Sequence, residues 1–143
     1  MSFPPLSVYP QWALLSDELA PLVGERAVSL LCFAIAQAND CVITSTYFRR
    51  ALVDNGEDPE APNVTEAEQL MLDWARIVAV DPHAVPAEIA ERFERAFSPA
   101  LRSLLLRFTG LMVATNLVSI AGRVPLDESL LPFRRPGDDR TAG

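Results

Sequence analysis

The chain has 143 residues, half of them hydrophobic and 22% charged, with 19 acids against 12 bases and a formal net charge of -7. That size fits one domain, and the composition is too apolar for a disordered chain. All 12 bases are arginine, which excludes Schiff-base, pyridoxal-phosphate and P-loop lysine chemistry, and the single histidine, His83, excludes a multi-histidine metal site. The acidic balance also argues against nucleic acid or an anionic membrane as a partner, since both need a basic footprint. The uncharged run Phe108 to Gly122 has 15 residues. A spanning helix needs about 20 apolar residues, so no membrane span is expected. The first base, Arg26, follows Asp17 and Glu18, unlike the basic start of a secretory signal, and a cytoplasmic location is the corresponding expectation.

Twelve prolines divide the chain, and apolar residues recur at helical spacing between them. The pattern predicts a short helix over Gln11 to Leu19 and a second over Glu25 to Ala38. From Ala27 onward the second is uncharged all round, so it belongs at the centre of the fold. Asn39-Asp40 ends it and opens a third helix, Cys41 to Asp54, which Gly56 closes. The stretch Asp54 to Asp73 carries seven acids and no base; its irregular spacing reads as solvated loop and helix face, not as a calcium loop. Thr65 with Glu68 makes a capping box for a fourth helix with an apolar face of Ala67, Leu70, Met71, Trp74, Ile77 and Val78. Pro86 opens a short fifth helix to about Phe97, and Ser98-Pro99 opens the sixth and longest, to about Ile120. No window sustains period-two alternation. The expected fold class is therefore all-α, a single-domain bundle of about six helices over residues 1–131, with a disordered tail over residues 132–143.

Few residues carry chemistry. Cys41 stands at the predicted start of the third helix, where free amides and the helix dipole favour a thiolate. No histidine or second cysteine follows within two turns to relay a proton, and a thiol packed as a small hydrophobe fits the same position. Cys32, between Leu31 and Phe33, reads as core and stands too far along the hairpin for a disulfide with Cys41. Arg49 and Arg50 read either as ordinary helix-surface arginines or as a clamp for a carboxylate. His83 sits in a proline-flanked turn, where a turn-stabilising role fits best. Asn116 is a lone amide in an apolar stretch; once buried it must find a partner, and it either lines a pocket or pins two helices.

The run Glu25 to Leu52 places a buried helix before Asn39-Asp40-Cys41 and a helix carrying Thr46-Tyr47-Phe48-Arg49-Arg50-Ala51. It resembles the core of the carboxymuconolactone decarboxylase / alkylhydroperoxidase D-like family. Asp81-Pro82-His83-Ala84-Val85, Leu111-Met112-Val113-Ala114-Thr115-Asn116 and Val124-Pro125-Leu126-Asp127 extend the resemblance over Leu14 to Leu131. It implies an all-α fold that assembles as dimers, trimers or hexamers and, in the redox branch, a Cys-x-x-Cys-x-x-x-His motif with a glutamate one helix earlier. On that pattern Cys41 takes the first cysteine, Thr44 the second, Phe48 the histidine and Ser29 the glutamate. A threonine forms no disulfide and a phenylalanine accepts no proton, so the resemblance implies the family's fold with a degenerate redox motif.

Cys41, Thr44 and Phe48 share one helix face at i, i+3 and i+7, and the family's cavity is expected to persist there with an apolar, weakly polar lining. The leading expectation is a homo-oligomer whose pocket, lined by Thr44, Phe48 and Asn116, binds a small apolar organic molecule. Its catalytic form would be cofactor-free lyase, isomerase or decarboxylase-type chemistry using Cys41 and Tyr47. The alternatives are a non-catalytic interaction or structural subunit and a one-cysteine peroxidase using Cys41. No metal and no cofactor is expected.

Overall fold

A helix without a charged residue from Ala27 to Ala38 has no face to offer water, and the chain encloses it. The structure, a computed structural model, describes residues 10–135 and, of their side chains, those from residue 13 onward. It contains α1 (Pro10–Val23), α2 (Glu25–Ala38), α3 (Val42–Asp54), α4 (Glu66–Val80), α5 (Ala87–Ala96) and α6 (Pro99–Ala121), with 3-10 turns at Pro82–Ala84 and Glu128–Phe133. No strand occurs among the described residues, and the fold is an all-α bundle. Helix α2 lies against α1, α3, α4 and α6, and every residue from Leu30 to Ala36 is buried.

The expected helices differ from the observed ones where tertiary packing overrides a local signal. Helix α1 runs four residues beyond Leu19 and carries Pro21 in its last turn. A proline there removes a single backbone donor, while packing against α2 and α6 holds the turn. Helix α4 buries Leu70, Met71, Leu72, Trp74 and Ala75, whereas Ala67 is exposed and Ile77 and Val78 are half-buried. It packs against α2, α5 and α6 together, and three neighbours cover a wider arc than one apolar stripe. Trp74 stacks on Phe93 of α5 with ring centroids 4.1 Å apart, and Phe93 meets Phe97 edge-on at 5.2 Å. Phe93 is the one buried residue of α5, which the aromatic stack ties to the core.

The acidic stretch faces solvent, with Asp54, Asp58, Glu60 and Glu66 exposed, and several of its carboxylates are also paired. Arg26 at the start of α2 donates to Glu57, to both oxygens of Glu68 at 3.2 Å and to the carbonyl of Asn63, gathering the α3–α4 loop and the head of α4. Its hydrogen bond to Glu57 raises the guanidinium pKa above the ordinary value. Arg49 pairs with Glu60, Arg50 with Asp54 and Arg76 with Asp73.

Helix α6, with 23 residues, is long and apolar enough to cross a membrane by length and composition. In the fold it buries Leu104, Leu105, Phe108, Met112 and Asn116 against the other helices. After α6 the chain folds back over α3, and Pro132 and Phe133, expected in the tail, belong to the second 3-10 turn. Residues 136–143 of that tail lie outside the described residues.

At the head of α4 the Thr65 hydroxyl accepts the Glu68 amide at 3.1 Å, and the Glu68 carboxylate accepts the Thr65 amide at 2.9 Å. Thr65→Ala should lower the unfolding free energy by about 1 kcal/mol in a urea titration, the usual cost of a lost cap. An unchanged midpoint would show that Arg26 alone fixes this helix start.

Candidate functional site

The site begins at the turn between α2 and α3. The amide of Asp40 donates to Gln37 O at 3.1 Å and that of Cys41 to Ala36 O at 2.9 Å, the bonding pattern of a helix closed by a left-handed residue. Asp40 is that residue, with φ of 56°, a conformation that aspartate tolerates better than most. The turn makes Cys41 the N-cap of α3, so the helix proper starts one residue later than expected, at Val42. The thiol does not cap the helix; it points inward and donates to Thr44 Oγ1 at 3.4 Å.

The expected pocket residues do not form one chamber. Cys41 is 1% exposed and lies with Ile43 in a small cluster covered by Tyr47, Ile120, Val124 and Leu126. Phe48, 4% exposed, belongs instead to the main core with Leu31, Phe33 and Leu52. Tyr47 bridges the two clusters, half-buried and edge-on to Phe48 with ring centroids 5.0 Å apart. The void beside Cys41 measures about 20 Å³, and Gln37, Asp40, Ser45, Arg49 and Arg135 are among its lining residues. That is room for one water. A larger, open groove of about 290 Å³ runs along the outer side of α3 past Tyr47, Arg50, Ala51 and Asp54.

Asn116 is fully buried, and its Nδ2 donates to Asn39 Oδ1 at 2.9 Å. Asn39 in turn donates from its own Nδ2 to Ala79 O at 3.2 Å. Of its two expected roles, pocket lining and pinning, the second is the one these bonds describe: α6 is tied through the end of α2 to the end of α4. Arg49 and Arg50 diverge. Arg49 lies over the Phe33 ring at 5.0 Å and pairs with Glu60, while Arg50 pairs with Asp54 at 3.5 Å and faces the Phe133 ring at 6.0 Å. His83 is exposed in its turn, where its amide donates to Asp81 Oδ1 at 3.0 Å. Neither Cys32 nor Cys41 is in a disulfide. No group of three or more metal-ligating side chains occurs among the described residues.

Sequence reasoning missed the strap that seals Cys41. Arg123, at φ 51°, turns the chain out of α6, and Val124 and Leu126 then settle on the Cys41 cluster. Asp127 accepts the Ser129 amide at 3.0 Å, a bond that holds its carboxyl below the ordinary carboxylate range, and Leu130 is buried in the turn that packs on α3. The signal was present as Asp127-Glu128-Ser129, an aspartate two residues ahead of a serine at a helical start. No protein-family model, no curated protein and no solved structure matches the chain.

Two measurements check this geometry. Asn116→Ala removes the donor to the half-buried Asn39 Oδ1, so it should cost about 1 kcal/mol in denaturant unfolding; a neutral result would break the three-helix tie. In a Cys32→Ser background, Leu130→Ala should speed Cys41 labelling by 4,4′-dithiodipyridine by about tenfold or more, because ~2 kcal/mol of lost packing shifts a local opening by at least that factor. An unchanged rate would mean that the strap does not control access.

Proposed function

We propose that the chain is a redox-inactive member of the carboxymuconolactone decarboxylase / alkylhydroperoxidase D-like family that acts as a self-assembling interaction or structural subunit. The observation that carries this reading is the void of about 20 Å³ beside Cys41. Small-molecule sites take about 300–1,000 Å³, and the space beside this thiol is more than tenfold smaller. The remaining volume is filled by the chain's own side chains, with Thr44 fully buried, Phe48 in the main core and the strap over Cys41. The thiol donates to the Thr44 hydroxyl, which cannot take up its proton as a base at neutral pH. The family's second cysteine and histidine have no counterpart at Thr44 and Phe48.

A second reading rests on the groove beside Tyr47. At about 290 Å³ it reaches the lower bound for a small-molecule site. It combines a phenol with the Arg50–Asp54 ion pair, a polar lining whose donors would hold a small ligand by one or two hydrogen bonds. In this version Tyr47 binds or protonates the ligand, and the buried Cys41 takes no part.

A thermal-shift screen with apolar acids, phenols and lactones, run beside a peroxide-consumption assay with dithiothreitol, separates these readings. The subunit reading expects no ligand-dependent rise in melting temperature and no thiol-dependent turnover. A ligand whose stabilisation disappears in Tyr47→Phe would overturn it in favour of the groove. Saturable peroxide consumption lost in Cys41→Ser would overturn it in favour of a one-cysteine peroxidase.

A further inference from the structure

Four asparagines occur in the chain, and only Asn55 precedes a glycine. Asparagine is chemically labile, and most so before glycine, where the next amide nitrogen attacks the side-chain carbonyl carbon with no Cβ in its way. Asn55 and Gly56 are both exposed, so water reaches them. The other three lack this combination. Asn63 is exposed but precedes the β-branched Val64, while Asn39 and Asn116 precede Asp40 and Leu117 and are held by their mutual hydrogen bond.

The end of α3 keeps this dipeptide out of the reactive geometry. The Gly56 amide donates to Val53 O and the Glu57 amide to Leu52 O, both at 2.9 Å, with Gly56 at φ 78°. These are the paired closing bonds of a helix ended by a left-handed glycine, and they engage the very nitrogen that must attack. Ring closure also needs that nitrogen eclipsed with Asn55 Cβ about the Cα–C bond. Asn55 has ψ 9°, which sets it beside the residue's own nitrogen, a tetrahedral position away from Cβ. The attack therefore requires ψ to swing away from this value, and the closing bonds cannot survive the swing.

We infer that Asn55 is a self-deamidation site gated by opening of the α3 C-cap. Once the cap opens and hydroxide removes the Gly56 N–H proton, the nitrogen bonds to Asn55 Cγ and the Cγ–Nδ2 bond breaks. Ammonia leaves with a proton from water, which restores the hydroxide and leaves a five-membered succinimide. Water then opens the ring at one of its two carbonyls, giving aspartate, or isoaspartate when the backbone carbonyl is attacked. The net change is one water consumed and one ammonia released, with no oxidation or reduction.

The product acts on the helix end that formed it. A carboxylate at residue 55 stands at the negative carbonyl end of α3, next to Asp54 and two residues from Glu57. Isoaspartate also adds a methylene to the main chain, which shifts the Glu57 amide out of register with Leu52 O. Glu57 is an acid that Arg26 holds, so the modification loosens the α3–α4 loop at its first tie to α2.

Peptide mass spectrometry tests the site on the full chain, incubated in mildly alkaline buffer with and without guanidinium chloride at an unfolding concentration. Asn55 should convert to aspartate and isoaspartate in both samples, about tenfold or more slowly in the folded one, where Asn63 should stay an amide over the same period. Glu57→Ala removes the Arg26 tie and should speed the folded-state conversion by about two- to fivefold, leaving the rate in denaturant unchanged. Asn55→Asp, which carries the charge without the extra methylene, should unfold at a lower urea concentration than the wild type. A folded rate equal to the denatured one, or unmoved by Glu57→Ala, would overturn the gate. A folded chain that converts Asn63 as fast as Asn55, or converts neither, would overturn the site. An Asn55→Asp midpoint at or above that of the wild type would overturn the effect on the loop.

Discussion

Helix α2 requires enclosure on every side, and the rest of the chain is arranged to provide it. Its buried run from Leu30 to Ala36 brings four other helices against it, and the carbonyls of its last turn need partners at a half-buried end. The left-handed Asp40 turn supplies two of those bonds, and Asn39, one residue earlier, receives Asn116 from α6 and donates to the end of α4. The same few residues therefore close the central helix, fix its two long neighbours and set where α3 begins. Cys41 is buried as a consequence: the turn that satisfies α2 also places the thiol under the strap.

Much of this was legible in the sequence because the deciding signals are local. The uncharged run of α2, the Thr65–Glu68 box and Ser98-Pro99 each name a helix centre or helix start through chemistry within four residues. What was not legible depends on distant partners. Pro21 looked like a stop because its local cost is visible and its support from α2 and α6 is not. Leu72 and Ala75 fall outside the expected apolar face because a single stripe assumes one neighbour, whereas α4 has three. The ion pairs of the solvated acidic stretch were not legible because Arg26, Arg49 and Arg50, which pair with its carboxylates, come before it in the chain.

The site followed the same division. That Cys41, Thr44 and Phe48 share a helix face is a property of α3 alone; what covers that face is not. The face is divided between two clusters, Phe48 facing the main core and Cys41 facing the strap. Asn116 was read correctly as an amide in need of a partner, and only the fold could reveal that the partner is Asn39. A chemical reading of α3 thus gives way to a packing reading.

The central claim is that the Phe48 position is dry core rather than the remnant of a working relay. It is tested most directly by placing an imidazole there, as Phe48→His with His83→Gln, and titrating it by NMR. In a dry, closed site the charged form is disfavoured, so the imidazole should titrate below the ordinary value of about 6.5. With a depressed folded-state pKa, the protein should lose stability as the pH falls through the range between that value and the ordinary one. An imidazole titrating above about 6.5, with stability retained at acid pH, would reveal a neighbouring thiolate or a wet cavity and contradict the account.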